Sequence, residues 1–282
     1  MCPMTDAAAG SLPTPPAGME RAGVVGGGTM GSGIVHVLLA AGFAVTLVDA
    51  NEAALERAAG LVASSLDAAA TRGKLPVAPG DLLARLVLAV DLADLDCADV
   101  VIEAVPERID LKRSVLASIE AVVRPEALLA TNTSSLSLTA LGSALVHPER
   151  FVGTHFFNPV PAQPLLELVR PPMAAEGAVA RARELAVALG KEVVEVTDTP
   201  GFATSRLGVA LGLEATRMVQ EGVATPEDID RAMVLGYRYP MGPCRLGDLV
   251  GHDVRLGIAD TLLTTGLVDE IVGDDRVGHA LD

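Results

Sequence analysis

From residue 21 onward, short and continuously apolar runs alternate with longer segments in which apolar residues return every three or four positions. Unbroken apolar runs suit strands covered on both faces, and the longer period suits helices packed on them. The first pair is AGVVG, ending at Gly26, and an apolar-periodic helix over 30–41 that stops at Gly42. FAVTLVDA follows directly and completes a β-α-β unit. Asn51, a favourable N-cap, opens a long helix reaching Lys74, and a turn with a second short helix leads to about Leu86. Further strands are predicted over 86–90, 100–105, 128–131, 151–157, 165–169 and 192–196, with helices near 107–123 and 174–189. After Thr199-Pro200-Gly201 the strand pattern stops, leaving helices over 202–221, 226–235 and from about Leu246 onward. The pattern predicts an α/β fold: a largely parallel sheet with helices on both faces over 21–198, then a smaller all-helical domain over 199–282. Residues 1–20 combine Pro, Gly, Ser and Thr without apolar periodicity and predict a disordered leader.

Composition narrows the partners. The formal charge of −15 over 282 residues disfavours nucleic acid and anionic membrane, because polyanions need a basic surface. An anionic substrate would need a local basic pocket. No apolar run approaches the roughly 18 residues of a membrane span, so a cytoplasmic location is expected. Cys2, Cys97 and Cys244 are widely spaced and form neither a disulfide framework nor a zinc pattern, so no metal is expected.

Gly26-Gly27-Gly28-Thr29-Met30-Gly31 has the G-x-G-x-x-G spacing between a strand and a helix, and Asp49 ends the next strand. Gly26 permits the tight turn, Gly28 the approach of pyrophosphate, and Gly31 close helix-strand packing, with the helix N-terminus of Thr29 and Met30 facing the phosphates. Asp49 would accept from the ribose hydroxyls and repel a 2′-phosphate, which favours NAD over NADP. The order of strand, glycine loop, helix, strand and acid makes the first domain Rossmann-type. Asn132-Thr133-Ser134-Ser135 follows the strand ALLAT, where open parallel sheets bind ligands; a Ser/Thr turn explains the same residues.

His155 lies in a strand-like run twelve positions before Glu167. An isolated histidine in such a run is often a core residue with satisfied hydrogen bonds. Glu167 argues against that, since LLELV places a carboxylate among aliphatic residues, where an unpaired charge costs several kcal/mol. Pro159, Pro161 and Pro164 favour an irregular connection that brings the two strands side by side. A carboxylate accepting from one imidazole nitrogen fixes the tautomer and raises the basicity of the other, as a general base for an alcohol proton requires. His36, His147, His252 and His279 are read as structural or solvated.

Together GGGTMGSGI, VIEAVPE, ATNTSSL, RFVGTHFFNPVP and GYRYPMGPCRLGDLVG resemble the short-chain L-3-hydroxyacyl-CoA dehydrogenases, most closely the bacterial 3-hydroxybutyryl-CoA dehydrogenase type, over 21–262. The resemblance implies oxidation of a short L-3-hydroxyacyl-CoA to the 3-ketoacyl-CoA with NAD, His155 being the base and Glu167 its orienting carboxylate. It puts Ser134 and Asn158 beside substrate and nicotinamide, Glu107 and Lys112 against the cofactor, and the CoA portion along Ser65, Arg72 and Lys74. The amphipathic helices from Phe202 to Asp282 carry more apolar residues than one small layer can bury, which predicts a homodimer through the helical domain.

Two departures stand out. Where the family usually has asparagine in G-F-x-x-N-R, this chain has Ser205, which is shorter and lacks an amide at that catalytic position. The chain closes on GDDRVGHALD without the family's usual lysine-bearing final segment, which predicts a truncated helical domain. These features keep two alternatives open: a dehydrogenase of a small hydroxy acid such as L-gulonate, and an NAD-binding homologue with impaired catalysis.

Overall fold

The computed structural model describes residues 12–251 and 256–260, which fall into two compact units. The first unit holds one sheet of eight strands: β1 (Arg21–Val25), β2 (Ala44–Val48), β3 (Leu86–Ala89), β4 (Val100–Glu103), β5 (Leu128–Thr131), β6 (Phe151–Phe156), β7 (Leu165–Arg170) and β8 (Glu192–Thr197). Their order is β3-β2-β1-β4-β5-β6-β7-β8, and every neighbouring pair is parallel except β6 with β7. The strand order reverses between β1 and β4. In an open parallel sheet such a reversal leaves a crevice at the carboxyl ends of the strands, where ligands bind.

Six helices belong to this unit: α1 (Thr29–Ala40), α2 (Glu52–Thr71), α3 (Pro79–Leu83), α4 (Ile109–Val122), α5 (Leu138–Gly142) and α6 (Glu176–Ala188). Along β4, Val100 and Ile102 join the core that α1, α2 and α6 build on the sheet. Val101 between them points to the opposite face by strand alternation and is equally buried. Both faces are therefore covered, which explains why these strands read as unbroken apolar runs. Asn51 caps α2 as expected, its Oδ1 accepting from Ala54 N at 3.2 Å. The short α5 was not expected. Its cap is Asp198, whose carboxylate accepts from Leu138 N at 2.9 Å and Thr139 N at 2.7 Å, a partner sixty residues away with no local signature.

The leader expectation needs correction for residues 12–20. Met19 is 1% exposed within the main core and Leu12 packs against it. Burying a large apolar side chain contributes roughly 1.5–3 kcal/mol, enough to hold a short segment that has no periodicity of its own. Residues 1–11 lie outside the described residues, as do His252, His279 and the closing stretch 261–282 that bears on truncation.

His36 sits on α1 at 4% exposure, and its Nδ1 has no hydrogen-bond partner. Burial first, then the charges of Lys191 and Arg72, lower its pKa to about 4. A base whose folded pKa lies below its unfolded value binds more protons when unfolded, so stability falls as pH drops from about 6.5 toward 4. The wild-type Tm should therefore fall between pH 7 and pH 5, and His36→Gln should flatten that fall. An identical pH slope in the two proteins would show that His36 carries none of it.

The second unit comprises Ser134–Ser137 and the residues from Thr199 onward. The expected boundary near 199 thus has an addition: four residues after β5 cluster with the helical part. Among the described residues its helices are α7 (Thr204–Gln220), α8 (Pro226–Tyr237) and α9 (Pro243–Val250), with α9 packed on both others and a further helical stretch over 256–260. Thr225 caps α8 by accepting from Asp228 N at 3.2 Å. The helix expected from about Leu246 onward begins three residues earlier, at Pro243, and ends at Val250. Asp230 on α8 supplies its N-terminal acceptor, taking Cys244 N at 2.8 Å and Arg245 N at 3.0 Å. Capping from a neighbouring helix replaces the local signal that sequence reading looks for.

Candidate active site

The glycine loop stands between β1 and α1, at the strand-order reversal. Gly26 has φ +114°, where a side chain would be strained, and a Cβ there would lie 2.7 Å from Ala104 O. At Gly31 a Cβ would lie 1.9 Å from Gly26 O, so only glycine lets α1 start this close to the turn. Asp49 follows the end of β2, and its carboxylate accepts from Gly27 N at 2.8 Å and Asn51 N at 3.0 Å, which fixes the loop. Gly28 and Thr29 are exposed, Met30 is half-buried, and no side chain caps the N-terminus of α1. Amide groups at an uncapped helix start, a glycine turn and a half-buried acid fit a dinucleotide: the first two suit pyrophosphate and the third suits ribose hydroxyls.

Beside this loop, β4 ends in the fully buried Glu103. Its carboxylate accepts from Lys112 Nζ at 2.8 Å and Thr131 Oγ1 at 2.6 Å. Lys112 is 1% exposed; its ammonium also donates to Val105 O at 3.0 Å and lies 3.3 Å from Glu107 Oε2. Glu107 is exposed and accepts from Thr133 Oγ1. Glu107 is thus open to a ligand, whereas Lys112 is enclosed among protein acceptors. Sequence reading missed Glu103; the only signal was a carboxylate ending an apolar strand.

The histidine and its carboxylate face each other across the one antiparallel pair of the sheet. β6 and β7 register His155 directly opposite Glu167. His155 Nδ1 lies 2.7 Å from Glu167 Oε2, and the residues are 6% and 0% exposed. An ionised carboxylate only accepts, so Nδ1 carries the proton and Nε2 is the basic nitrogen. Cross-strand partners at this distance hold both side chains on one face of the sheet. The Phe157 ring packs on the imidazole, with centroids 4.4 Å apart. Two further groups brace the hairpin. Asn132 Oδ1 accepts from Phe156 N at 2.9 Å, next to His155, and buried Lys191 Nζ donates to the carbonyls of Val160 and Gln163 in the connection. Asn158, in that connection, is exposed.

Ser65 is half-buried on α2, and Arg72 and Lys74 are exposed at its carboxyl end. Ser134 and Ser205 are half-buried in the second unit, Ser205 in the first turn of α7. Among the described residues, no group of three or more His, Cys, Asp or Glu has the arrangement of a metal site.

Comparison with known proteins gives a consistent answer. The family profile for the 3-hydroxyacyl-CoA dehydrogenase NAD binding domain matches residues 21–199, and that for the C-terminal domain matches 201–276. A 3-hydroxybutyryl-CoA dehydrogenase of Mycobacterium tuberculosis is 44% identical over 247 residues, 86% of each chain. One from Clostridioides difficile is 36% identical over 242 residues, again 86% of each. The crystal structure of (S)-3-hydroxybutyryl-CoA dehydrogenase from Ralstonia eutropha superposes with a TM-score of 0.85 at 36% identity, covering 90% of both chains. Matches that span both units at these identities mean that the chain belongs to the 3-hydroxyacyl-CoA dehydrogenase family.

Proposed function

We propose that this protein oxidises a short-chain L-3-hydroxyacyl-CoA, of the 3-hydroxybutyryl-CoA kind, reversibly to the 3-ketoacyl-CoA, with NAD as cofactor. The observation that carries the reading is the buried His155–Glu167 pair at 2.7 Å, in the same sheet as the strand β1 that leads into the glycine loop. NAD, when bound, supplies the acceptor for the hydride that leaves C3. The chain's residues handle the proton. His155 Nε2 takes it from the C3 hydroxyl, and Glu167 stabilises the imidazolium that forms. The turn of Gly26, Gly28 and Gly31, with the amides of Thr29 and Met30, would hold the pyrophosphate, and Asp49 and Glu107 would hold polar groups of the dinucleotide. Ser134 and Asn158 would orient substrate and nicotinamide, with Ser205 in the helical unit at the position where the resemblance leads one to expect asparagine.

Among the described residues no helix is long and apolar enough to cross a membrane, which supports a cytoplasmic reading. The helical unit leaves Leu207, Leu235, Tyr237 and Leu249 each at least 70% exposed, which supports a homodimer through that unit.

The deciding test is a spectrophotometric assay with acetoacetyl-CoA, 3-hydroxyhexanoyl-CoA and L-gulonate in parallel, each with NAD(H) and NADP(H). Turnover of acetoacetyl-CoA with NADH is the expected result. Turnover of L-gulonate alone would overturn the substrate assignment, and NADH binding without turnover of any substrate would favour the impaired homologue. Arg72→Ala with Lys74→Ala should raise KM for acetoacetyl-CoA about tenfold with kcat retained, because exposed cations on a CoA phosphate add binding without touching the reacting atoms. An unchanged KM would remove that CoA subsite.

A further inference from the structure

Glu103 has no part in the chemistry above, yet it is fully buried at the point where three segments of the cofactor crevice meet. It is the last residue of β4, in register with Val25 of β1 and Thr131 of β5. One carboxylate oxygen accepts from Lys112 Nζ at 2.8 Å and from Val105 N at 2.7 Å, and the other accepts from Thr131 Oγ1 at 2.6 Å. The backbone tied down in this way is the wall on which the glycine turn rests. A Cβ on Gly26 would meet Ala104 O at 2.7 Å and Val105 N at 3.1 Å, so a small shift of residues 104–105 would displace the turn. Lys112 ties the same backbone a second time through Val105 O and stands 3.3 Å from Glu107, on the rim of the crevice. An ammonium has three N–H donors, and three protein acceptors surround this one. Packed apolar residues often stabilise a fold as well as a buried ion pair does. Contacts that all converge on one ligand-facing loop therefore point to geometry rather than bulk stability.

We propose that Glu103 is a positioning residue for the dinucleotide: with Lys112 and Thr131 it holds the segment Ala104–Val105 under the Gly26 turn and sets Glu107 at the crevice rim. This inference rests on the NAD reading above.

The test is the NADH dissociation constant, read by NADH fluorescence, for wild type, Glu103→Gln, Lys112→Met and Thr131→Val. Failure of the wild type to bind NADH would defeat the NAD reading itself, before any variant is compared. Given wild-type binding, Glu103→Gln and Lys112→Met should each weaken it about tenfold. The KM for acetoacetyl-CoA at saturating NADH should move less than about twofold, because the Glu103 carboxylate and the Lys112 ammonium share no hydrogen bond with His155 or Glu167. A folded Glu103→Gln protein with wild-type NADH affinity, or with equal losses for NADH and acyl-CoA, would overturn the proposal. Should the charge variants fail to fold, Thr131→Val decides, since it removes no charge, only the bond to Glu103 and the longer one accepted from Thr133 N. Weaker NADH binding in it supports the positioning role, and unchanged binding ends it.

Discussion

Replacing His155 by glutamine is expected to lower kcat for acetoacetyl-CoA reduction by about 10²- to 10⁴-fold, the range that a positioned general acid-base group contributes. The NADH dissociation constant should stay within about twofold of wild type, because the glycine loop lies on β1 and α1 and shares no hydrogen bond with β6. Glutamine is preferred to alanine for a structural reason. Glu167 is 0% exposed, and removing the imidazole outright would break a buried ion pair, a change that costs roughly 3–5 kcal/mol. A glutamine amide can still donate to that carboxylate, so the folded state survives and the measurement reports on chemistry. Single-turnover NADH oxidation, followed in the absorbance of NADH, separates loss of the chemical step from slow product release. A folded His155→Gln enzyme with wild-type kcat would remove His155 from the base role.

The central strands were legible because they are covered on both faces and so read as apolar runs; LLAT of β5 and VVIE of β4 are buried at every position, whereas the edge strand β8 is largely exposed. The dinucleotide crevice was legible for a related reason. A tight turn and a close helix-strand approach demand glycine at fixed spacing, and the 1.9 Å left for a Cβ at Gly31 shows how little choice that position has. The proximity of His155 and Glu167 was inferable from the three prolines between them, although their direct register opposition was not. What stayed hidden depends on partners distant in the chain. Asp198 starting α5, Asp230 starting α9 and Met19 entering the core have no local periodicity or spacing that would announce them. Lys112 is the instructive case. A lysine on a helix after the EAVPE strand reads as a solvent-facing cation or a ligand contact. Only the fold reveals that Glu103, nine residues earlier, encloses it.

The second large effect is expected at Glu167, where Glu167→Gln should lower kcat by about 10²- to 10⁴-fold, as amide replacement of the carboxylate behind a catalytic imidazole does. The substitution keeps size and hydrogen-bonding capacity at a fully buried position, so packing against β6 and β8 is preserved. Two functions are lost together. An amide can present either its oxygen or its NH₂ to Nδ1; the second choice places the imidazole proton on Nε2, the nitrogen that must accept the hydroxyl proton. Even the correct orientation lacks the negative charge that stabilises the imidazolium. The informative measurement is the cycle with His155→Gln. If Glu167 acts only through His155, the double variant should have the kcat of His155→Gln alone, with no further loss, since residues acting as one unit are strongly non-additive. If the pair is a structural ion pair, Glu167→Gln should lower Tm while leaving kcat near the wild-type value. A kcat loss in Glu167→Gln that multiplies fully with that of His155→Gln would mean that the carboxylate acts on the substrate directly, and the orienting role would be withdrawn.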